Sequence, residues 1–149
     1  MTSEGTTVIL IRHAERLATP GNNDPHLTAA GKSRARLLLH VLSQAEVSAI
    51  YTSEFTRTKE TAQPLAEALG LSPIEATDVQ DIKKDILLNH AGKTVLVVGH
   101  TNTVPEVIQL FGDNSSHEIG DEEFDNMFVA TVLDEDRVRV TRLKYGDRT

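Results

Sequence analysis

A chain of 149 residues, 39% hydrophobic and 25% charged, is long enough to bury one sizeable core and is expected to form a single domain over 1–149. Its formal net charge of −7 argues against a nucleic-acid partner, because phosphate backbones are gripped by basic surfaces. The absence of cysteine removes disulfides, cysteine zinc sites and a thiolate nucleophile together, and no apolar run reaches the roughly 18 residues of a membrane span.

The N-terminal apolar stretch is too short for a signal peptide and is interrupted by Arg12-His13, so a cytoplasmic protein is expected. Met1 to Gly5 reads as a mobile polar lead. Thr6 to Ile11 reads as a strand, and its continuous aliphatic run implies burial on both faces. Leu17 to His26, with Pro20, Gly21, Asn22, Asn23 and Pro25, is a loop by composition. Thr28 is placed to cap a helix running to about Gln44, with Leu37, Leu38, Val41 and Leu42 as its apolar stripe and Arg34 largely elsewhere. Val47 to Tyr51 is a second strand. Thr52-Ser53 then caps a helix from about Phe55 to Leu69, whose Ala62, Leu65, Ala66 and Leu69 face the core, and Gly70 stops it.

Pro73 to Ala76 is a weak third strand. Asp78, with Asp81 three residues on, opens a helix ending near His90 to Gly92. Thr94 to Val98 is another doubly buried strand reading, followed by Gly99-His100 and a helix from about Thr103 to Phe111. Residues 112–125 read as a solvated acidic loop. Met127 to Leu133 and Arg137 to Leu143 form a closing hairpin. This alternation predicts a three-layer α/β/α domain, mostly parallel, with an antiparallel addition at the end.

Both long aliphatic strands run into a histidine, and ligands of α/β sheets bind beyond the carboxyl ends of strands. Arg12, His13 and His100 are therefore candidate functional residues. Arg57 joins them, because a cation in the first helical turn opposes the macrodipole by some 0.3–1 kcal/mol and needs a functional reason. Two guanidiniums suit a phosphate, and a histidine beside fixed cations stays neutral and nucleophilic. The arginines supply the charge that a metal otherwise would, so no metal or other cofactor is called for. Asn102 either touches substrate or caps the next helix. His26 is a loop residue, Asn22 and Asn23 are turn formers, and His40, His90 and His117 are expected to be exposed.

These residues resemble the histidine phosphatase superfamily, the phosphoglycerate mutase-like proteins. Leu10-Ile11-Arg12-His13-Ala14-Glu15 is similar to its Arg-His-Gly-Glu signature. Three later segments agree: Asp24 to Gly31, Thr52-Ser53 through Arg57-Thr58 to Thr61-Ala62, and Val97 to Asn102. The resemblance implies a phosphoglycerate mutase-like fold and a short bacterial type similar to the phosphohistidine phosphatases. It implies a phosphatase acting through phosphohistidine on His13, with Arg12, Arg57 and His100 holding the phosphate. Glu15 and Asn102 are further candidate substrate contacts. The substrate would be a small phosphorylated molecule or a phosphorylated protein side chain. Ala14 stands where glycine is usual, and Arg16 stands where a small hydroxyl residue is common. The glutamate proton donor of many members has no clear counterpart, which leaves Asp81 and Glu15 as candidate general acids. Alternatives are a mutase, a zinc hydrolase using His13, His100 and a carboxylate, and an inactive anion-binding module.

Overall fold

The aliphatic run of the first strand lies near the middle of the sheet in a computed structural model describing residues 5–149; Met1–Glu4, most of the polar lead, lie outside the described residues. The elements are β1 (Thr6–Arg12), α1 (Ala29–Leu42), β2 (Val47–Thr52), α2 (Thr56–Leu69), β3 (Ile74–Glu75), α3 (Val79–Asn89), β4 (Thr94–Gly99), α4 (Thr103–Leu110), β5 (Asn126–Asp134) and β6 (Arg137–Lys144). The six strands are ordered β3-β2-β4-β1-β5-β6. β1, β2, β3 and β4 pair in parallel, whereas β5 and β6 add antiparallel.

Side chains alternate across a strand, and here both sides are covered. Val8 and Leu10 of β1, with Val95 and Val97 of β4, pack against Ile82 and Ile86 of α3 and Val104 and Ile108 of α4. Ile9 and Ile11, with Leu96 and Val98, pack against Leu38 and Leu42 of α1 and Leu65 and Ala66 of α2. The fold is thus the expected three-layer α/β arrangement. No helix among the described residues is long and apolar enough to cross a membrane.

Two local expectations fail. The buried stripe of α1 is Gly31, Arg34, Ala35, Leu38 and Leu42, while Val41 is exposed. Arg34 is buried because its charge is met: Nε and Nη2 donate to the two Glu15 carboxylate oxygens at 2.8 and 3.0 Å, and the carbonyls of Tyr145 and Asp147 accept from Nη1 and Nη2. Gly31 sets the rotation of α1, since a Cβ there would sit 2.1 Å from the Glu15 carbonyl oxygen. Thr28 caps α1 as expected, accepting from Gly31 N–H.

The second concerns α2. Thr52 belongs to β2, and the N-cap of α2 is Phe55, whose side chain makes no capping bond. Its first N–H is served from a distance instead. The Asp24 carboxylate accepts from both the backbone N–H and the hydroxyl of Thr56 at 2.7 Å. The loop before α1 is thereby fastened to the start of α2.

Removing Glu15 strands a buried guanidinium. Glu15→Ala is expected to cost about 3 kcal/mol, seen as a thermal midpoint lower by about 6–12 °C. A loss below about 1 kcal/mol would mean that the pair is as weak as a solvated one.

Candidate active site

The register of β1 on β4 builds the site. Arg12 pairs with Gly99, and His13 N–H extends the ladder to the Gly99 carbonyl at 2.9 Å. His13 and His100 therefore leave the sheet side by side, with ring centroids 5.4 Å apart. Gly99 lets α4 begin at once: a Cβ there would lie 2.7 Å from the Thr103 hydroxyl, which accepts from His100 N–H. Arg57 arrives from the first turn of α2. All four line one cavity of about 430 Å³, together with Arg16, Ser53 and Asn102.

Each cation is held without being neutralised. Arg12 Nη1 donates to the backbone carbonyls of Asp121 at 2.7 Å and Glu123 at 2.9 Å, with a longer 3.4 Å contact to Gly120. Its guanidinium lies 4.1 Å from the Phe124 ring centroid. Arg57 stacks on Phe55 at 4.3 Å, and its Nη1 reaches the Asn23 carbonyl at 3.5 Å. Both retain a buried Nε–H with no protein acceptor among the described residues. Buried donors of this kind call for an oxygen ligand.

The imidazoles are neutral. His13 is buried, and its pKa is pushed down to about 3, first by burial and then by Arg12, His100 and Arg57 acting against its bond to Ala14. His100 is pushed down to about 4, again first by burial and then by Arg57 and Arg12. Loss of solvent is thus a larger cause than the neighbouring arginines that the sequence points to. His13 Nδ1 lies 2.8 Å from the Ala14 carbonyl, which can only accept, so Nδ1 carries the proton and Nε2 keeps the lone pair. His100 Nε2 contacts the Ser53 hydroxyl at 2.9 Å.

The structure brings Arg12, His13, Arg57, His100 and Asn102 together. Asn102 sits at the N-cap position of α4 but makes no side-chain cap bond, so its amide stays available to the cavity it lines. Two candidates are not in the site. Glu15 is committed to Arg34 and lines no part of this cavity, which corrects its expected role as substrate contact or acid. Asp81 lies in the first turn of α3 and lines a neighbouring groove with Lys84 and Asp85, so it is not placed as a general acid. The carboxylates that do line the cavity belong to Glu54 and Asp121.

Several partners escaped the sequence. Asp125 is 2% exposed and holds Lys144 and Thr149, so the acidic loop is not simply solvated. Phe55 and Phe124, two of only four phenylalanines, lie against the two arginines. An aromatic inside a run of acids at 121–125 was the available signal. His117 is half-buried against Phe128 and bonded to Asp113, and His90 is half-buried beside Tyr51, so neither is fully exposed. His26 pairs with Glu60 outside the cavity.

Comparison with known proteins agrees with this arrangement. Residues 8–83, just over half of the chain, match the family model described as histidine phosphatase superfamily (branch 1). Phosphoserine phosphatase 1 of Hydrogenobacter thermophilus is 39% identical over 80 residues, covering 50% of this chain and 38% of that protein. The match thus spans well under half the length of that relative. Among solved structures, a mycobacterial glucosyl-3-phosphoglycerate phosphatase superposes with a TM-score of 0.78 at 12% identity, covering 96% of this chain and all of that one. The protein histidine phosphatase SixA, complexed with tungstate, gives 0.74 at 18% identity, covering 93% and 96%. At these identities the two structures establish a shared fold.

Depressed histidines bind fewer protons folded than unfolded between their folded pKa values and the ordinary 6.5. Stability therefore rises with pH through this window, is complete above about 6.5, and is lost as pH falls toward 4 and 3. Ring-proton NMR of His13 and His100 in the free protein is expected to show no titration between pH 8 and 5. A midpoint near 6.5 for either would contradict the buried, neutral assignment.

Proposed function

The chain belongs to the histidine phosphatase superfamily, and from that premise we propose that it is a metal-independent phosphatase working through a phosphohistidine on His13. The observation that carries this reading is the His13 tautomer: Nδ1–H is tied to the Ala14 carbonyl, leaving a neutral, unprotonated Nε2 beside two guanidiniums. Nε2 attacks phosphorus, the P–O bond to the leaving group breaks, and the departing oxygen takes a proton from the solvent that reaches the open cavity. Water then attacks the phosphohistidine: its hydroxyl goes to phosphorus, its other proton returns to solvent, the P–N bond breaks and the imidazole leaves neutral with Nδ1–H in place. Arg12 and Arg57 grip the phosphoryl oxygens through planar paired donors and stabilise the charge of the transition state. His100, oriented by Ser53, adds a further polar contact.

Hydrolysis is favoured over phosphoryl return to a rearranged substrate. A mutase must keep water from the phosphohistidine, whereas Arg16, Glu54 and Asp121 on the wall of this cavity are all exposed. The zinc reading finds no group of three ligating side chains among the described residues, and the two arginines would repel the ion. The substrate in this proposal is a phosphomonoester or a phosphorylated protein side chain, and the setting is the cytoplasm.

Turnover of 4-nitrophenyl phosphate is expected to persist in excess chelator; complete loss would favour zinc. Rapid quenching should trap an acid-labile, base-stable phosphoenzyme that His13→Ala lacks. Phosphate binding with neither turnover nor phosphoenzyme would leave an anion-binding module. Arg57→Ala should cost about 2–4 kcal/mol of transition-state stabilisation, a fall of roughly 30- to 1,000-fold in kcat/KM.

A further inference from the structure

The phosphoryl site uses two guanidiniums, and a third lines the same cavity. Arg16 is exposed on its wall. Its one hydrogen bond is a marginal 3.5 Å contact from Nη1 to the Leu17 carbonyl. None of the ion pairs among the described residues includes it. Its charge is nevertheless felt inside, where it helps to lower the pKa values of Arg12 and Arg57. In a chain with 22 acidic residues, a cation left beside two others and given no counter-ion is a costly placement.

The backbone that presents Arg16 is fixed. Glu15 is locked to Arg34 on one side, its carbonyl accepts from Thr28 N–H at 2.9 Å, and Leu17 N–H donates to the His26 carbonyl at 2.8 Å. Arg16 itself bridges Leu27. Neighbouring residues of an extended segment point to opposite sides. With Glu15 turned to α1, Arg16 is turned to the cavity. Elsewhere the wall carries Glu54 and Asp121, which repel a second negative charge and leave the Arg16 sector to receive it.

We propose that Arg16 is a specificity-determining residue that binds a second anionic group on the leaving-group side, so that the substrates are phosphomonoesters with a further carboxylate or phosphoryl group. This rests on the phosphatase reading of the same cavity. Arg12 and Arg57 hold the phosphoryl that is transferred, and Arg16 selects what it is transferred from. The contact is open to solvent, so it weakens as ionic strength rises.

The test compares 2- and 4-carboxyphenyl phosphate with phenyl phosphate, and binding of inorganic pyrophosphate with orthophosphate, in the native chain, Arg16→Ala and Arg16→Lys. The native chain should favour a carboxylated ester by about tenfold in kcat/KM, mainly through KM, the size of one charge-assisted contact. Arg16→Ala should bring the ratio to about one, with Arg16→Lys between. A ratio near one in the native chain, a ratio preserved in Arg16→Ala, or an equal loss on charged and uncharged esters overturns the proposal. Should no ester turn over, the phosphatase reading fails and the binding arm decides separately. Tighter pyrophosphate than orthophosphate binding that disappears in Arg16→Ala supports the second-anion site, and equal affinities in the native chain overturn it. Preference confined to the carboxylated esters identifies a carboxylate as the second group; preference for pyrophosphate as well identifies any anion.

Discussion

The ladder bond from His13 N–H to the Gly99 carbonyl joins the carboxyl ends of two neighbouring parallel strands, and the site depends on it. It fixes which residue of β1 stands beside which residue of β4. A slip of one residue would turn the aliphatic sides of one strand against those of the other and send the two imidazoles to different depths. The register is secured far from the chemistry, by Val8 and Leu10 on one face and Ile9 and Ile11 on the other. Apolar packing thus sets a polar geometry. Each of those buried side chains contributes roughly 1.5–3 kcal/mol.

The second constraint is how to hold cations without quenching them. Carboxylates would bind Arg12 and Arg57 more strongly, and would also compete with an incoming anion. The protein uses carbonyl dipoles and aromatic faces instead: the Asp121 and Glu123 carbonyls and Phe124 for Arg12, and Phe55 with the Asn23 carbonyl for Arg57. These partners orient a guanidinium while leaving its full charge to the site. Arg34 shows the opposite solution. It is bidentate on Glu15 and buried, and it serves the docking of α1 and the 145–147 segment. Arginines on the same chain thus differ in role because Arg34 meets a carboxylate, whereas Arg12 and Arg57 meet only carbonyl dipoles and aromatic faces.

Much of this was legible in one dimension, and what was not has a physical reason. β1 and β4 could be read because double burial demands unbroken aliphatic runs, and Thr28 because a cap is a local event. The meeting of His13, Arg12, Arg57 and His100 could be anticipated because parallel strands end at one rim. Partners supplied across the fold were hidden. Asp24 caps α2 from 32 residues away, and Arg34 is buried only because Glu15 and the 145–147 carbonyls reach it. Asp125 sits in a run that reads as solvated surface, yet it is buried under Lys144 and Thr149. Glu15 and Asp81 looked available for chemistry because a sequence does not reveal whether a carboxylate is already engaged or which groove it faces.

The low proton affinity of the two imidazoles has one more consequence. With both neutral, the cavity's positive charge comes from guanidiniums that do not titrate, so the attraction it offers an anion is constant across the physiological range. An anion seated among these groups lends its own negative field to both rings, which raises their affinity for protons. Occupancy and proton uptake are then linked, and the charge state of this cavity becomes a property of the complex, set anew with each arrival and departure.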